Sequence, residues 1–277
     1  AMVAEVEADL EGLHAKDDEL SAQLDSNKKN NRLNIKDYGA IGDWSSHPAS
    51  EFYSSLEELK KDYPKAQSLN DEMDTLALEK ALITSSKPVY IPYGGYKINR
   101  GGFNLSPNRV IEGDGKATTQ LSYTGSGDEY IFISSDHNIV VKDFKFTAPF
   151  IAAEPGTSTT TKFIKVGGST HNTFSNLFLC GFDIALDFQA NAWVQYVNNI
   201  RIQNCNTGIS GNGEFNNICI DECNITYCDT AIYAGGGRNI VTREIDIGGV
   251  LFKIIVERAL YKLDCRSRAK IRSAYSD

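Results

Sequence analysis

NLFLCGFDI at residues 176–184, NIRI at 199–202 with CNTGI at 205–209, and NITYCDTAI at 224–232 are three copies of one short phrase. Their cysteines, Cys180, Cys205 and Cys228, follow one another after 25 and 23 residues. A repeat of this length is typical of a solenoid, because so small a unit cannot bury its own apolar face and must stack on its neighbours. Apolar and polar residues alternate within each copy, which is the periodicity of a β-strand. The stretch from Phe174 to Ile247 therefore predicts an all-β fold, a right-handed parallel β-helix.

Composition limits the classes of protein to consider. The chain has 277 residues, of which 41% are hydrophobic and 10% aromatic, and this favours one main domain with an appendage. A formal net charge of -8 argues against a general nucleic-acid partner. No run approaches the roughly 18 apolar residues of a membrane span, so membrane insertion is not expected. The acidic N-terminus lacks the apolar segment of a secretory signal.

Four cysteines fall within 24 residues, and they allow two interpretations. A metal site is the first, but the cluster has no CxxC pair and no nearby histidine, so the ligand spacing of a zinc site is missing. The second interpretation places Cys180, Cys205 and Cys228 at equivalent positions of the repeat, where small thiols stack from coil to coil. That interpretation implies free thiols, synthesis in a reducing compartment, and neither metal nor cofactor.

The first 26 residues carry apolar side chains at alternating steps of three and four. The seam is formed by Val3, Val6, Leu10, Leu13, Leu20 and Leu24, with Asp17 at one of its positions. This heptad pattern predicts a short coiled coil through which the chain associates with itself. The alternative is an amphipathic helix that lies on its own domain. A polar linker begins at Ser26.

Four further phrases resemble a known family. LNIKDYGAIGD at 33–43, NDEMDTLALEKAL at 70–82, PVYIPYGGYKI at 88–98 and VIEGDG at 110–115 resemble the opening of the pectate-lyase-superfamily β-helix, as found in bacteriophage tailspikes and polysaccharide depolymerases. The likeness covers roughly residues 33–249 and is specific for the fold. It implies a short helix that covers the open end of the coil. We expect Asp37, Asp43, Asp71 and Asp74 to be turn and cap residues within these phrases.

The same resemblance implies a function. It implies a homotrimer that binds and cuts a bacterial surface polysaccharide, capsule or O-antigen, by glycoside hydrolysis or by lyase cleavage. The protein would be made in the host cytoplasm, attach to a phage tail or baseplate protein, and act from the virion at the bacterial surface. A non-catalytic glycan-binding adhesin is the main alternative. A monomeric pectin-type enzyme is a third reading, which the coiled coil disfavours.

These observations divide the chain into four parts. They are a coiled-coil helix at 1–26, a linker and N-terminal cap at 27–107, the β-helix at 108–249, and a basic end segment at 250–277. Residues 44–69 are longer than the corresponding gap of the family and contain a predicted helix around 52–59. After Gly249 the repeat is lost, and seven basic against three acidic residues give that end a charge of 7 − 3 = +4. A natural end, a truncation and a shifted reading frame all remain open there.

Glycan cleavage needs acids that face outward. Hydrolysis uses two carboxyl groups about 5–9.5 Å apart, and neighbouring coils are about 4.8 Å apart, so acids one or two coils apart fit this spacing. Asp187, Glu214 and Asp221 are the predicted catalytic residues, because they fall in the middle of the coil. For each of them the alternative is a solvated surface or turn carboxylate.

Aromatic and basic residues nearby are candidates for binding the sugar. Trp193 and Tyr196 are predicted to hold the apolar faces of sugar rings, and core packing is the alternative for both. Arg201 and Arg238 are predicted to bind the carboxylates of an acidic glycan. Salt bridges to neighbouring acids are the alternative for these two arginines.

Overall fold

The computed structural model describes residues 31–150 and 160–249, three short strands beyond them, and the single helical positions 14 and 16. The coiled coil predicted for 1–26 otherwise lies outside the described residues. Over the part that is described, no helix is long and apolar enough to cross a bilayer.

Parallel strands build two sheets, one of 15 strands and one of seven, over the described ranges. The strands are β1 (Leu33–Asn34), β2 (Val89–Ile91), β3 (Gly94–Ile98), β4 (Phe103–Leu105), β5 (Val110–Gly113), β6 (Thr119–Tyr123), β7 (Tyr130–Ser134), β8 (Val140–Thr147), β9 (Lys162–Val166), β10 (Thr170–Cys180), β11 (Ile184–Phe188), β12 (Trp193–Asn198), β13 (Arg201–Gln203), β14 (Thr207–Gly211), β15 (Asn216–Asp221), β16 (Asn224–Thr226), β17 (Thr230–Ala234), β18 (Arg238–Arg243), β19 (Asp246–Gly249), β20 (Ile254–Val256), β21 (Tyr261–Leu263) and β22 (Lys270–Ser273). The predicted parallel β-helix is thereby confirmed.

Each coil contributes to three faces. The front face contains β5, the first half of β8 and of β10, then β12, β15 and β18. The side face contains β6, the second half of β8 and of β10, then β13, β16 and β19. The back face is the seven-stranded sheet. Front and side faces belong to one sheet, which bends at a corner.

The bend between the front and side faces requires a left-handed backbone conformation, and in each coil an acidic or amide residue stands there, next to the end of the front-face strand. Five stacked residues there have φ between 45° and 64°, namely Asp143, Asn176, Asn199, Glu222 and Glu244. Asn and Asp tolerate this left-handed conformation better than most side chains. The side chains also form a ladder, since Asn176 Nδ2 donates to Asp143 Oδ1 at 2.7 Å and Asn199 Nδ2 donates to Asn176 Oδ1 at 3.4 Å.

The coil is longer at both ends than the sequence predicted. Strands β2, β3 and β4 already pair with β5, β6 and β7, so a full coil precedes residue 108. Beyond Gly249, β20, β21 and β22 pair with β17, β18 and β19, which corrects the expectation that the coil stops there. The basic composition of the end segment obscures the repeat, yet Ile271 still pairs with Ile247.

Aromatic rings fill the first coils and smaller side chains fill the later ones. The ring of Phe163 lies with its centroid 5.6 Å from those of Phe132 and Phe182. In the next two coils the position of Phe182 passes to Cys205 and then to Cys228, since Ile184, Thr207 and Thr230 are in register. The stacking predicted for Cys205 and Cys228 is therefore confirmed.

Cys180 does not belong to this column. It pairs with Gln203, two residues before Cys205, so the predicted equivalence of all three cysteines is wrong. The first cysteine step of 25 residues, against 23 for the second, already contains this offset of two. The five cysteines of the described part are free thiols, and burial raises the pKa of Cys223 to about 12.

A helix at Met73–Thr84 closes the N-terminal end, as the family resemblance implied. Its Leu78, Ala81 and Leu82 join the main core, while Met73 and Leu76 face a second, smaller core. Because both sides of the helix are covered, it shows no single apolar stripe. Arg100 ties it down through Glu79 at 2.5 Å.

The long segment 44–69 builds the other side of that second core. It contains a 3-10 helix at Ala49–Glu51 and an α-helix at Leu56–Asp62, which begins slightly later than predicted and is capped by the Ser55 side chain. Leu59 and Tyr63 of this segment pack against the closing helix. Asp74 is a structural residue, since its carboxylate accepts backbone N–H groups of Ile41 at 2.7 Å and Lys97 at 2.8 Å.

Candidate functional site

Asp187 lies on β11 of the back face and is 3% exposed. Its Oδ2 accepts hydrogen bonds from the Tyr130 hydroxyl at 2.5 Å and from Gln189 Nε2 at 2.8 Å. We call Tyr130, Asp187 and Gln189 the back cluster. Burial, followed by the bond to Asp187, raises the pKa of the Tyr130 hydroxyl, which therefore stays protonated and donates to the carboxylate.

Two lysines enclose the ring of Tyr130. The Nζ atoms of Lys162 and Lys165 lie 5.5 Å and 5.9 Å from the ring centroid, which suits cation–π attraction. Lys162 also pairs with Asp128 at 2.5 Å and reaches Asp183 at 3.8 Å. The carboxylate of Asp187 is thus buried and accepts two hydrogen bonds at Oδ2, so a polymer in solution does not reach it in this arrangement.

The other two predicted acids lie elsewhere. Asp221 ends β15 on the front face, half-buried, in register with Asn198 and Arg243. Glu214 is exposed in the turn that enters β15, where its carbonyl oxygen accepts the N–H of Asn191 at 2.6 Å. The five steps from Asn216 to Asp221 span about 16 Å along β15. Glu214 precedes the strand and Asp221 ends it, so the two acids lie at opposite ends of β15. The structure does not bring the three acids together, and their catalytic role stays a prediction.

Two glutamates occupy stacked corner positions beside Asp221. Glu222 and Glu244 occupy the same corner position on consecutive coils, because Asp221 pairs with Arg243. Consecutive coils are about 4.8 Å apart, which falls near the carboxyl spacing of retaining glycosidases. Both side chains are exposed.

Trp193 and Tyr196 lie on β12 of the front face and are 53% and 47% exposed. Core packing is thereby excluded for both rings. Tyr196 stands between Thr173 and Cys219 of the adjacent coils, and Trp193 stands at the edge where the front face meets the back face. Aromatic side chains with one wet face suit the stacking of sugar rings.

The predicted arginines belong to other surroundings. Arg201 is exposed on the side face, with its guanidinium carbon 4.8 Å from the centroid of Phe178 and Nη2 donating to Gln203 Oε1 at 3.1 Å. Lys145 lies 5.1 Å from the same ring. Arg238 begins β18 two coils above Trp193, and its side chain is outside the described residues.

An open pocket lies at the edge next to Trp193. Its volume is about 260 Å3, and its lining residues are Gly168, Ser169, Thr170, Asn191 and Trp193. We call it the front pocket. Trp193 is the one aromatic among these residues and forms a wall of the pocket. A concave site with an aromatic wall and a few polar groups is what small-ligand binding requires.

Two costly features lie directly behind Trp193. Val194 has φ 54°, in the left-handed region. For a β-branched residue this conformation costs about 1–3 kcal/mol. Gln195 is fully buried, and its Nε2 donates to the carbonyl oxygens of Ser169 at 3.0 Å and Trp193 at 2.8 Å. Its Oε1 is buried without a hydrogen-bond partner among the described residues. Rotating the amide would place oxygen against two carbonyls, so the orientation is fixed.

Sequence reasoning missed Tyr130, Gln189, Asn191 and Gln195. A signal for Gln195 was present, because Val197 faces inward and strand periodicity puts residue 195 on the same side. A polar amide at an inward position marks a buried hydrogen-bonding group. The link between Tyr130 and Asp187 joins residues 57 apart, and no local pattern reveals it. Within the described ranges, no three His, Cys, Asp or Glu side chains are grouped so as to hold a metal ion.

Solved structures share this architecture. No protein-family model and no curated protein matches the sequence. The catalytic unit of a GH87 α-1,3-glucanase from Streptomyces thermodiastaticus aligns with a TM-score of 0.57 at 16% identity, over 80% of this chain and 42% of that one. The pre-mature gene product 12 of bacteriophage phi29 aligns with a TM-score of 0.51 at 17% identity, over 87% and 34%. The tailspike gp61 of Pseudomonas phage phi297 aligns with a TM-score of 0.48 at 14% identity, over 88% and 67%.

The chain spans less than half the length of the first two of these chains. At such low identity the likeness concerns the backbone and not the site residues. The chain therefore shares its parallel β-helix fold with the catalytic unit of the glucanase and with gene product 12 of phage phi29.

Proposed function

We propose that this protein is a tailspike-like β-helix that binds and depolymerises a bacterial surface polysaccharide. The observation that carries the proposal is the pair of exposed rings, Trp193 and Tyr196, on one strand beside the open front pocket. Large aromatic rings are costly to leave in water unless a partner covers them. A sugar polymer that runs along the front face would stack on both.

For the chemistry, Asp221 is the favoured acid among the predicted ones. It lies on the same face as Tyr196, one coil further and two positions along the strand. The second carboxyl group would come from Glu222, the next residue along the chain, or from Glu244, which follows Arg243 one coil further. Glu214, at the other end of β15, would bind sugar hydroxyls. A lyase reaction would instead use a base such as a lysine or tyrosine and a group that neutralises the uronate.

Assembly and location follow from the same proposal. Three copies would associate through the N-terminal heptads, attach to a phage tail or baseplate protein, and present the β-helix to the cell surface. Arg201 and Arg238 would then bind acidic units of the polymer on neighbouring surfaces. Sedimentation tests the trimer, because a monomer at micromolar concentration removes the argument from the heptads.

Incubation with purified host capsule or O-antigen tests the activity. Chain length is followed together with absorbance at the unsaturated-uronate wavelength. Shortening without absorbance indicates a hydrolase and shortening with it a lyase, while an unchanged polymer contradicts cleavage. We expect Asp221→Asn to lower the rate at least a hundredfold, with Glu57→Gln in the helix Leu56–Asp62 as the exposed control.

Binding without cleavage is the second candidate. It is favoured by the separation of the predicted acids, with Asp187 on the back face and Asp221 on the front. A protein of this kind would bind the same polymer through Trp193 and leave its length unchanged. Retention of polymer on the immobilised protein, in the absence of shortening, would establish this candidate.

A further inference from the structure

The front pocket is lined by uncharged residues. None of its five lining residues carries an ionisable side chain. Elsewhere the outward positions are rich in charge, as with Lys145 and Arg201 on the side face or Lys142 on the front face. Among the lining residues a ligand therefore meets one aromatic ring, one amide and hydroxyl groups, and no charged side chain. The exposed imidazole of His171 lies beside the pocket, with its Nδ1 2.8 Å from the Thr170 hydroxyl oxygen.

Asn191 offers an unused amide to such a ligand. Its backbone is in the left-handed region with φ 62°, and its side chain is exposed. The backbone N–H and carbonyl are both engaged, with Glu214 and Ser169, whereas its side chain has no partner among the described residues. An amide presents a donor and an acceptor together, which matches two adjacent hydroxyl groups.

The pocket is held open by its supporting residues. Gln195 binds the carbonyls of Ser169 and Trp193, which belong to two consecutive coils, and so fixes the two sides relative to each other. Val194, next to Trp193, has the positive φ that Asn138, His171 and Asn217 also have at this position of other coils, but as a β-branched residue it pays more for it. Strain and an unpartnered buried atom beside a pocket are typical of a site that is organised before its ligand arrives.

We infer that the front pocket binds one uncharged sugar ring, which stacks on Trp193 while the Asn191 amide binds its hydroxyl groups and the Thr170 oxygen, already paired with His171, accepts a further hydrogen bond. The inference rests on the proposed function and deepens it, because it assigns a neutral unit of the polymer to this position. A uronate would leave its carboxylate without a cation in the pocket. Gln195 and Val194 are positioning residues in this arrangement.

An array of neutral and acidic bacterial surface glycans tests the inference. We expect wild type to bind glycans that contain a neutral ring, and Asn191→Gly to weaken this binding about five- to tenfold, the effect of one or two hydrogen bonds. Glycine accepts the left-handed conformation, so the substitution removes the amide without strain. Asn217→Gly is the matched control, because Asn217 is also exposed with φ 57° but does not line the pocket. It should change binding less than twofold.

Fluorescence locates the bound ring. The chain has two tryptophans, so Trp44→Phe leaves Trp193 as the sole reporter. A glycan that binds on the array should shift its emission and saturate with the same affinity, and chemical reduction of the carboxyl groups of the glycan should preserve the shift. Loss of the shift on carboxyl reduction, or an equal effect of Asn191→Gly and Asn217→Gly, would overturn the inference. If wild type binds no glycan at all, the proposed function fails instead.

Discussion

The back cluster and the front pocket are both built from polar and aromatic residues, but they differ in what is left unpaired. In the back cluster the Tyr130 hydroxyl and the Gln189 amide both donate to Asp187 Oδ2, and the carboxylate is buried. In the front pocket a tryptophan is half in water and the Asn191 amide has no partner among the described residues. A satisfied cluster stabilises a fold, whereas unused groups at an opening are available to a ligand. Four substitutions test this contrast.

Asp187→Ala should cause the largest change. It removes the acceptor of both the Tyr130 hydroxyl and the Gln189 amide in a buried place, so we expect the free energy of unfolding to fall by about 2–3 kcal/mol. Denaturant unfolding measures this, with exposed Asp229→Ala as the control. Unchanged stability together with complete loss of polymer cleavage would show instead that Asp187 is catalytic.

Trp193→Ala should affect binding rather than stability. Half of the ring already contacts water, so unfolding should change little, while affinity for the polysaccharide should fall at least tenfold, about 1.4 kcal/mol. Isothermal titration with the polymer measures the affinity. Tyr93→Ala removes a ring of 64% exposure at the N-terminal end and should leave affinity unchanged. An equal loss for both variants would argue against a site at the front pocket.

Tyr130→Phe should lower the free energy of unfolding by about 1 kcal/mol near neutral pH, the contribution of one hydrogen bond. The folded pKa of Tyr130 is raised above its value in the unfolded chain. The stabilisation is therefore complete below the unfolded pKa of roughly 10 and is lost as pH rises through the folded one. The difference between wild type and variant should shrink above pH 10, and a difference that grows there would contradict the assigned bond.

Val194→Asn should give the smallest effect and of opposite sign. Asn138 and Asn217 hold the position equivalent to Val194, at the start of the front-face strand, on other coils. Their φ values are 58° and 57°, so asparagine should relieve the strain that valine carries there. We expect the free energy of unfolding to rise by about 0.5 kcal/mol while the affinity for polymer falls, because Trp193 is held less firmly. Val110→Asn, on the front face without positive φ, should not stabilise. A variant that gains affinity would contradict a positioning role for Val194.

Much of the fold could be predicted because each coil carries the same local sequence pattern. Alternation fixes which side chains enter the core, and residues such as Asn176 and Asn199 mark the bend between strands. The ends of the coil could not be predicted from the repeat. The sequence becomes basic after Gly249, yet strand pairing continues, and Ile271 still pairs with Ile247. The predicted alignment of Cys180 with Cys205 was wrong by two residues, because Cys180 pairs with Gln203. A shift of two residues leaves each side chain on the same side of the strand, so the alternation of apolar and polar residues does not reveal it.

The site was less predictable because it depends on which face each strand position occupies. Trp193 and Tyr196 were predicted to bind sugar from their chemistry; the structure places both on the surface, and the binding role stays a prediction. Asp187 and Asp221 each lie near the end of an apolar stretch of the sequence, but Asp187 lies on the back face and Asp221 on the front face. Separating them requires the position of the corners, which the sequence marks only to within a few residues.

The corner ladder of Asp143, Asn176 and Asn199 has a consequence for how such a protein can change. Since the bend is held by residues at the corners, the outward positions between them carry little of the burden of shape. Substitutions at those outward positions, made one coil at a time, would therefore change the binding surface without changing the fold.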